Sequence, residues 1–447
     1  MSHALAETAR HLQALLRLNT TNPPGQEILA AAYLAHALKA EGIEPLVLES
    51  APGRGNVIAR LTGAGEAPPL LLYSHTDVVP AEPEHWKYPP FAGEIAEGCV
   101  WGRGAVDMKN TVAQQLMVML MLKRNGVALK RDVIFAATAD EEIGGRNGFG
   151  MAWLARHHPE LLQAEFGLTE VGGYNTDFAG QNVYLIQVAE KGTCWFKLRA
   201  YGEPGHGSQP HAQHAVAQLI LALAGLVQNG LPYHLSPAAA GFLRVAAEAT
   251  AGTPLNAVLS QLADPAVAPK VLKTLKGQPL YRPLYAMLHN TATPTGLKAG
   301  AKTNVIPSVA EATIDGRFLP GFDPEAFFAE MRAAIGDDLN DGLETEMEIV
   351  APPLEVPHDT ALFRLMAATI QKHDPTANAV LPYMMSGATD AKYLAPLGVP
   401  TYGFAPLQLP PGMPYMEMFH AHNERVPLAG LAWGVNVLYD VVTQYCA

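Results

Sequence analysis

Five short stretches of the sequence put histidines and carboxylates at the ends of apolar runs, with no cysteine among them. Imidazole nitrogen with carboxylate oxygen is the ligand set of hydrolytic zinc, cobalt or manganese, whereas closed structural zinc sites favour thiolates. In LLLYSHTDVVP, His75 and Asp77 lie just past a run of apolar residues. Residues two apart in an extended segment share a side, so this carboxylate can orient the imidazole. WGRGAVDMKN places Asp107 behind a glycine-punctuated loop at the start of a helix. There it can cap the helix, or offer one oxygen to each of two metals. FAATADEEIGGRNG ends a buried strand on the adjacent pair Glu141 and Glu142. Two carboxylates so placed repel, and a cation bound by one with a proton carried by the other would relieve them. FGLTEVGG ends another strand on Glu170, and FHAHNERV supplies His420 and His422 far downstream. Each stretch alone has a bland reading as a cap, a solvated turn or a surface histidine. Together they specify a site.

The elements that must position these groups alternate in type. Apolar periodicity predicts helices over Ala4 to Leu18, Glu27 to Glu41 and Met108 to Asn125, and strands over Asn56 to Leu61, Leu70 to Ser74 and Asp132 to Thr138. That order implies an α/β layer around a mixed, largely parallel, buried sheet, whose ligand sites lie at the carboxyl ends of the strands. Longer alternating strands over Val183 to Tyr201 and Thr303 to Leu319, each followed by a helical stretch, read as an inserted α+β domain. The stretch from Leu231 to Ala301 reads as a helical and irregular insertion within it. After about Val356 the α/β pattern returns, with a helix over Ala361 to Lys372, a strand near Val399 to Phe404 and a last helix over Pro427 to Gln444. The expected organisation is therefore a discontinuous α/β domain, 1–190 and 353–447, interrupted by a second domain at 191–352.

Bulk properties narrow the function. At 447 residues, the chain is long for one core. With 49% hydrophobic and 16% charged residues, it has the composition of a packed globular protein. A formal charge of -12 argues against nucleic-acid or anionic-membrane surfaces, which need basic stripes. The three cysteines, Cys99, Cys194 and Cys446, form neither a metal spacing nor a disulfide framework, which fits a reducing cytoplasm. The N-terminal stretch lacks the pattern of a signal peptide, and neither of the most apolar stretches reads as a membrane span.

From TTNPPGQE to HNERV, these ordered motifs resemble the di-metal hydrolase family of acetylornithine deacetylase, succinyl-diaminopimelate desuccinylase, aminoacylase and carboxypeptidase, including the glutamate carboxypeptidase and carboxypeptidase S types. The resemblance implies a zinc-exopeptidase-like catalytic domain with a lid. It also implies two divalent ions, zinc first with cobalt or manganese as alternatives. Asp107 would bridge them, with His75 and Glu170 on one ion, and Glu142 and His420 on the other. His420 is taken over His422 because it stands four residues before Glu424 of the Asn-Glu pair. Glu141 becomes the general base, Asp77 the partner of His75, and the Asp107-Met108 peptide is expected in cis. In the lid, His206 of AYGEPGHGSQP would stabilise the oxyanion, while Asn304 and Arg317 would grip the substrate carboxylate or oxyanion. An ordinary salt bridge is the bland alternative for Arg317. Gly387 and Thr389 of SGATDAKYL would return to the substrate; Lys392 stands where the family frequently has arginine, and it is left without a role. The implied reaction cleaves a peptide or N-acyl amide next to a free carboxylate, by a carboxypeptidase- or aminoacylase-type enzyme. A biosynthetic deacylase is the alternative, and a metal-free binding or scaffold protein of the same fold is the reading from another class. The expected partners are a small peptide or N-acyl amino acid and a second copy of the chain through the lid, with no nucleic acid and no membrane.

Overall fold

The computed structural model describes residues 3–145, 147–209, 211, 213–336 and 340–447. The chain divides into two compact units, Met1–Val188 with Val356–Tyr383 and Thr389–Ala447, and Ala189–Glu355 with Met384–Ala388. The first segment runs α1 (His3–Arg17), α2 (Ile28–Ala40), β1 (Pro45–Glu49), β2 (Gly55–Leu61), β3 (Leu70–His75), β4 (Cys99–Trp101), α3 (Lys109–Arg124), β5 (Val133–Thr138), β6 (Phe166–Thr169) and β7 (Gln181–Glu190). The second unit follows with β8 (Gly192–Tyr201), β9 (Gly205–His206), α4 (Ala215–Asn229), α5 (Pro237–Ala249), α6 (Pro254–Leu262), α7 (Ala268–Thr274) and α8 (Tyr281–Leu288). It continues through β10 (Thr291–Ala299), β11 (Val305–Ile306), β12 (Val309–Phe318), α9 (Pro324–Ile335) and β13 (Leu343–Ala351). The chain then returns with α10 (Ala361–His373), β14 (Thr401–Gly403), β15 (Arg425–Pro427) and α11 (Leu428–Cys446).

In the first unit the strand order is β1-β2-β5-β3-β6-β14-β7. The four central strands β5, β3, β6 and β14 are mutually parallel, and the outer pairs are antiparallel. β3 and β5 are buried along their whole length, as the unbroken apolar runs LLLY and VIFAA require of strands covered on both faces. Because the central strands are parallel, their carboxyl ends share one edge. His75 closes β3, Glu141 and Glu142 follow β5, and Glu170 follows β6. Glu170 also depends on the glycines behind it, since a Cβ at Gly172 would fall 2.0 Å from the Gly403 carbonyl oxygen.

α3 packs on β3, β5, α1 and α11 and is buried almost end to end. Several of its polar groups are tolerated there because they are bonded. Lys109 Nζ donates to the carbonyls of Leu15 and Leu18 at 3.0 and 2.9 Å, and Gln115 Nε2 donates to those of Tyr73 and Leu168.

The second unit is built on an antiparallel sheet ordered β10-β12-β8-β13, with Phe196, Ile314, Phe327, Leu219, Leu226 and Met331 in the core beneath α4 and α9. The sequence pattern assigned Thr291–Ala299 to the irregular insertion, yet these residues form the edge strand β10. Pro294 and Gly296 hid it. They flank a register shift against β12, and proline, lacking an N–H, is tolerated in a sheet at such an edge. The rest of the insertion is helical, α5 to α8. The architecture is thus an α/β unit with a mixed, largely parallel sheet flanked by helices, interrupted by an α+β unit. Among the described residues no helix is long and apolar enough to cross a membrane.

Candidate metal centre

At the carboxyl edge of the parallel strands, two groups of ligand atoms lie within 4.8 Å of one another: His75, Asp107 and Glu170, and Asp107, Glu142 and His420. Asp107 belongs to both. Its Oδ1 is 3.1 Å from His75 Nε2, and its Oδ2 is 3.2 Å from His420 Nε2. The same His75 nitrogen stands 3.7 Å from Glu170 Oε2, and the same His420 nitrogen 3.0 Å from Glu142 Oε2. One carboxylate therefore presents one oxygen to each triad. Glu141 Oε2 lies 3.9 Å from His75 Nε2, beside both groups and inside neither. The Asp107-Met108 peptide is cis. His422 stands apart, its ring against Glu82 Oε2 and His85.

The electrostatics of this cluster show an excess of negative potential. Burial pushes Glu142 up to about 8, helped by the Asp107 charge and only partly countered by His420. Burial likewise drives Glu170 well above the usual carboxylate range and raises Glu141. Burial would lower His75, but the carboxylates of Asp107, Asp77 and Glu170 outweigh it and hold the imidazole well above its ordinary value. Contacts with Asp107 and Glu142 raise His420 to about 10. Asp107 alone moves down, because the two imidazoles against it outweigh its burial. Carboxyls and imidazoles that both hold protons report one deficit, that of positive charge. The donor set fits divalent cations directly: Glu142 Oε1 is buried with no hydrogen-bond partner among the described residues, although an orphaned carboxylate oxygen is costly.

Behind the cluster lies a layer of which the motifs disclosed only Asp77 as the partner of His75. Asp77 Oδ1 accepts the Glu141 N–H and Oδ2 accepts the Glu142 N–H, both at 3.1 Å, while Oδ1 stands 3.4 Å from His75 Nδ1. One carboxylate thus orients a candidate base and a candidate ligand of each group. Asn22 Nδ2 donates to Asp77 Oδ2 at 2.9 Å and to Asp140 Oδ1 at 3.3 Å. Asp140, at φ +70° in the left-handed region, also accepts from Arg54 Nη2 at 3.0 Å. Arg54 pairs bidentately with Glu27 as well, at 2.8 and 2.7 Å. The signal for this layer was present only as TTNPPGQE and as the Asp before the Glu pair. Asp390, also buried nearby, is pushed up to about 8 by burial and then by the Glu141 charge. A groove of about 1130 Å³ in the same unit, lined by residues such as Asn182, Asp374, Met413 and Tyr415, includes none of the cluster residues in its wall.

The remaining candidates fall mainly in the second unit. His206 on β9 pairs with Val305 on β11, and the Gly207 N–H donates to the Asn304 carbonyl at 2.9 Å, so His206 and Asn304 share one ribbon. His206 Nδ1 lies 2.7 Å from Ser208 Oγ and 3.2 Å from the Ser208 backbone nitrogen, so a local turn holds the ring. Arg317 on β12 donates to Asp315 Oδ1 at 2.7 Å and to Thr193 Oγ1 at 3.0 Å, so a salt bridge within its own strand already engages it. Gly387 also belongs to this unit. Thr389, in the first unit, is buried, and its hydroxyl accepts the Ala391 N–H at 3.2 Å, a local turn contact.

Residues 71–444 match Peptidase family M20/M25/M40. The chain belongs to that family. Among curated M20 relatives, it is 28% identical to aminoacylase-1B of Rattus norvegicus over 96% of this chain and 92% of that one. It is 27% identical to the N-fatty-acyl-amino acid synthase/hydrolase PM20D1 of Homo sapiens over 84% of this chain and 73% of the relative. Its fold is that of the M20 metallo-carboxypeptidase Sso-CP2 from Sulfolobus solfataricus, with a TM-score of 0.71 at 20% identity over 98% of this chain and 99% of that one. A dinuclear metal-binding M20 peptidase from Bacillus subtilis superposes with a TM-score of 0.62 at 15% identity, over 100% and 99% of the two chains. As an M20 member, the chain is a metal-dependent hydrolase of amide bonds.

Proposed function

We propose that this enzyme cleaves the amide of an N-acyl amino acid or a short peptide next to a free carboxylate, using two divalent ions. The observation that carries the reading is Asp107, which turns one oxygen toward each of two ligand triads. His75, Asp107 and Glu170 would hold one ion, and Asp107, Glu142 and His420 the other, with zinc the first choice and cobalt or manganese the alternatives. When bound, such a pair acidifies water and polarises a carbonyl. Glu141 takes the proton of the attacking water and passes it to the leaving nitrogen, while Asp77 fixes His75, Glu141 and Glu142. From the family resemblance, His206 would donate to the developing oxyanion, and Asn304 and Arg317, the latter on giving up its bond to Asp315, would grip the substrate carboxylate or oxyanion. Gly387 and Thr389 would contact the substrate. Similarity to aminoacylase-1B favours the acyl-amino-acid substrate over a peptide.

We further propose a homodimer through the second unit, supported by the exposed apolar face of α4, where Ile220, Leu221 and Val227 lie at helical spacing. Three unpaired cysteines, two of them buried, support a cytoplasmic location. The test of function is a panel of N-acetyl, N-succinyl and N-fatty-acyl amino acids and dipeptides on metal-replete enzyme, with products weighed by mass spectrometry. Release of a free amino acid and the acyl acid is the expected result. Turnover confined to succinyl-diaminopimelate or acetylornithine would install the biosynthetic reading. No hydrolysis of any member, with no ion retained, would return the chain to a binding role.

A further inference from the structure

Glu424 stands four residues after His420, is fully buried, and belongs to neither ligand triad. Its Oε1 accepts the backbone N–H groups of Val106 and Asp107 at 2.6 and 2.9 Å. Its Oε2 accepts the Gly104 N–H and Arg103 Nη1, both at 2.9 Å. Every one of these donors belongs to the segment that delivers Asp107. Arg103, also buried, sends Nη2 to the His420 carbonyl oxygen and to that of Pro80, each at 3.3 Å. The Gly102 N–H donates to the Glu424 carbonyl at 3.0 Å, and β15 pairs antiparallel with β4 immediately alongside. Two segments 317 positions apart therefore meet at one buried ion pair, and each delivers a candidate ligand.

A buried ion pair is a poor source of stability, because desolvation offsets most of its attraction. What it supplies is direction: a carboxylate that accepts four donors with both oxygens fixes the loop that presents them. Without that anchor, the glycine-flanked run from Gly102 to Asp107 is free to move Asp107 relative to His420. We propose that the Arg103–Glu424 pair is a positioning device that sets the bridging carboxylate of Asp107 against His420, and so decides whether two ions bind together. The proposal rests on the reading of Asp107 and His420 as metal ligands.

Glu424→Gln tests it with little change in volume. The amide has one acceptor, and in either orientation its NH2 group faces two donors, so no flip satisfies the loop. Arg103→Lys keeps the charge and loses the fork that also reaches His420. Metal-free protein is titrated with cobalt(II), following stepwise affinities by calorimetry and coordination by visible absorption, and the thermal midpoint of each metal-free variant is measured separately. Both affinities should fall about 10- to 100-fold in Glu424→Gln, the usual consequence of losing a group that orients a ligand. In Arg103→Lys the second ion should weaken more than the first, with a changed absorption spectrum. A variant pair whose metal-free midpoints fall while both cobalt affinities stay within about threefold of the parent, set against that 10- to 100-fold expectation, would reduce the pair to scaffolding and overturn the proposal. If Glu424→Gln fails to fold, Arg103→Lys decides alone. If the parent protein itself never binds two cobalt ions, the ligand reading fails first and takes the proposal with it.

Discussion

Arg54→Met removes the cation of the layer behind the cluster while keeping most of its stem. The guanidinium is 4% exposed and both partner carboxylates are fully buried, with Glu27 engaged through two bonds and Asp140 through one. Taking one partner from a buried pair typically costs about 3–5 kcal/mol, because the charge left behind has neither water nor counter-ion. Glu27 gives the loss a pH signature. Burial first, and then the Asp77 charge, push it up to about 7 despite the bond from Arg54. For an acid whose folded pKa lies above its unfolded value of about 4.3, the stability it contributes is complete below the unfolded pKa and is lost as pH rises through the folded one. In the parent protein this loss levels off above about pH 7. Without Arg54 the carboxyl titrates higher still, so the variant keeps losing about 1.4 kcal/mol per pH unit beyond that point. Urea unfolding at pH 6 and pH 8.5, followed by tryptophan fluorescence, measures the difference. The deficit should be clearly larger at pH 8.5. An equal deficit at both pH values, or one below about 1 kcal/mol, would show that Arg54 is not the counter-charge of a buried carboxylate pair.

Glu141→Gln should reduce turnover about 10²- to 10⁴-fold while the protein still retains two metal ions, since Glu141 lies in neither triad; near-normal turnover with full metal would remove it from the mechanism. Ile220→Glu with Val227→Glu places charge on the exposed face of α4 and should convert a dimer to monomers in light scattering; an unchanged mass would exclude that face as the contact. His289 is 6% exposed, and burial pushes it down to about 4, so its neutral form stabilises the second unit above its unfolded value of about 6.5, and that contribution is lost as pH falls toward 4. His289→Gln should flatten the acid dependence of thermal stability between pH 6.5 and 4.5, and an unaltered slope would assign that dependence to other groups.

The parallel core was legible because VIFAAT and LLLYSH are unbroken apolar runs of strand length, and the groups that follow such strands must share an edge. His75, Glu142 and Glu170 could be read because they follow these strands, whereas Asp107, in the loop before α3, and His420, in the loop before β15, were assigned through the family resemblance. What lay beyond reach was of two kinds. β10 was disguised by the proline and glycine that a sheet edge tolerates. The layer of Asn22, Arg54, Glu27 and Asp140 left only the traces TTNPPGQE and the Asp before the Glu pair, since its members come from separate segments and acquire meaning only by meeting. Arg317 shows the converse. Its sequence context fits a carboxylate grip, but Asp315, two residues away on the same strand face, is the carboxylate it meets.

The two layers divide the buried charge of the first unit between them. Behind the cluster, guanidinium groups serve three buried carboxylates, Arg54 with Glu27 and Asp140 and Arg103 with Glu424, while Asp77 is held by N–H donors. In front, Asp107, Glu142 and Glu170 face only two imidazoles, and Glu141 feels Lys392 and His75 only weakly enough that its carboxyl still rises. A fold that can neutralise its rear carboxylates with guanidinium groups has the means to neutralise the front ones too. An arginine there would occupy the volume and the lone pairs that a reacting carbonyl and water need, whereas small divalent ions satisfy the same charge and leave coordination positions open. On the proposed reading, the front row is the part of the cluster that holds the ions, and the paired rear row is what fixes its position.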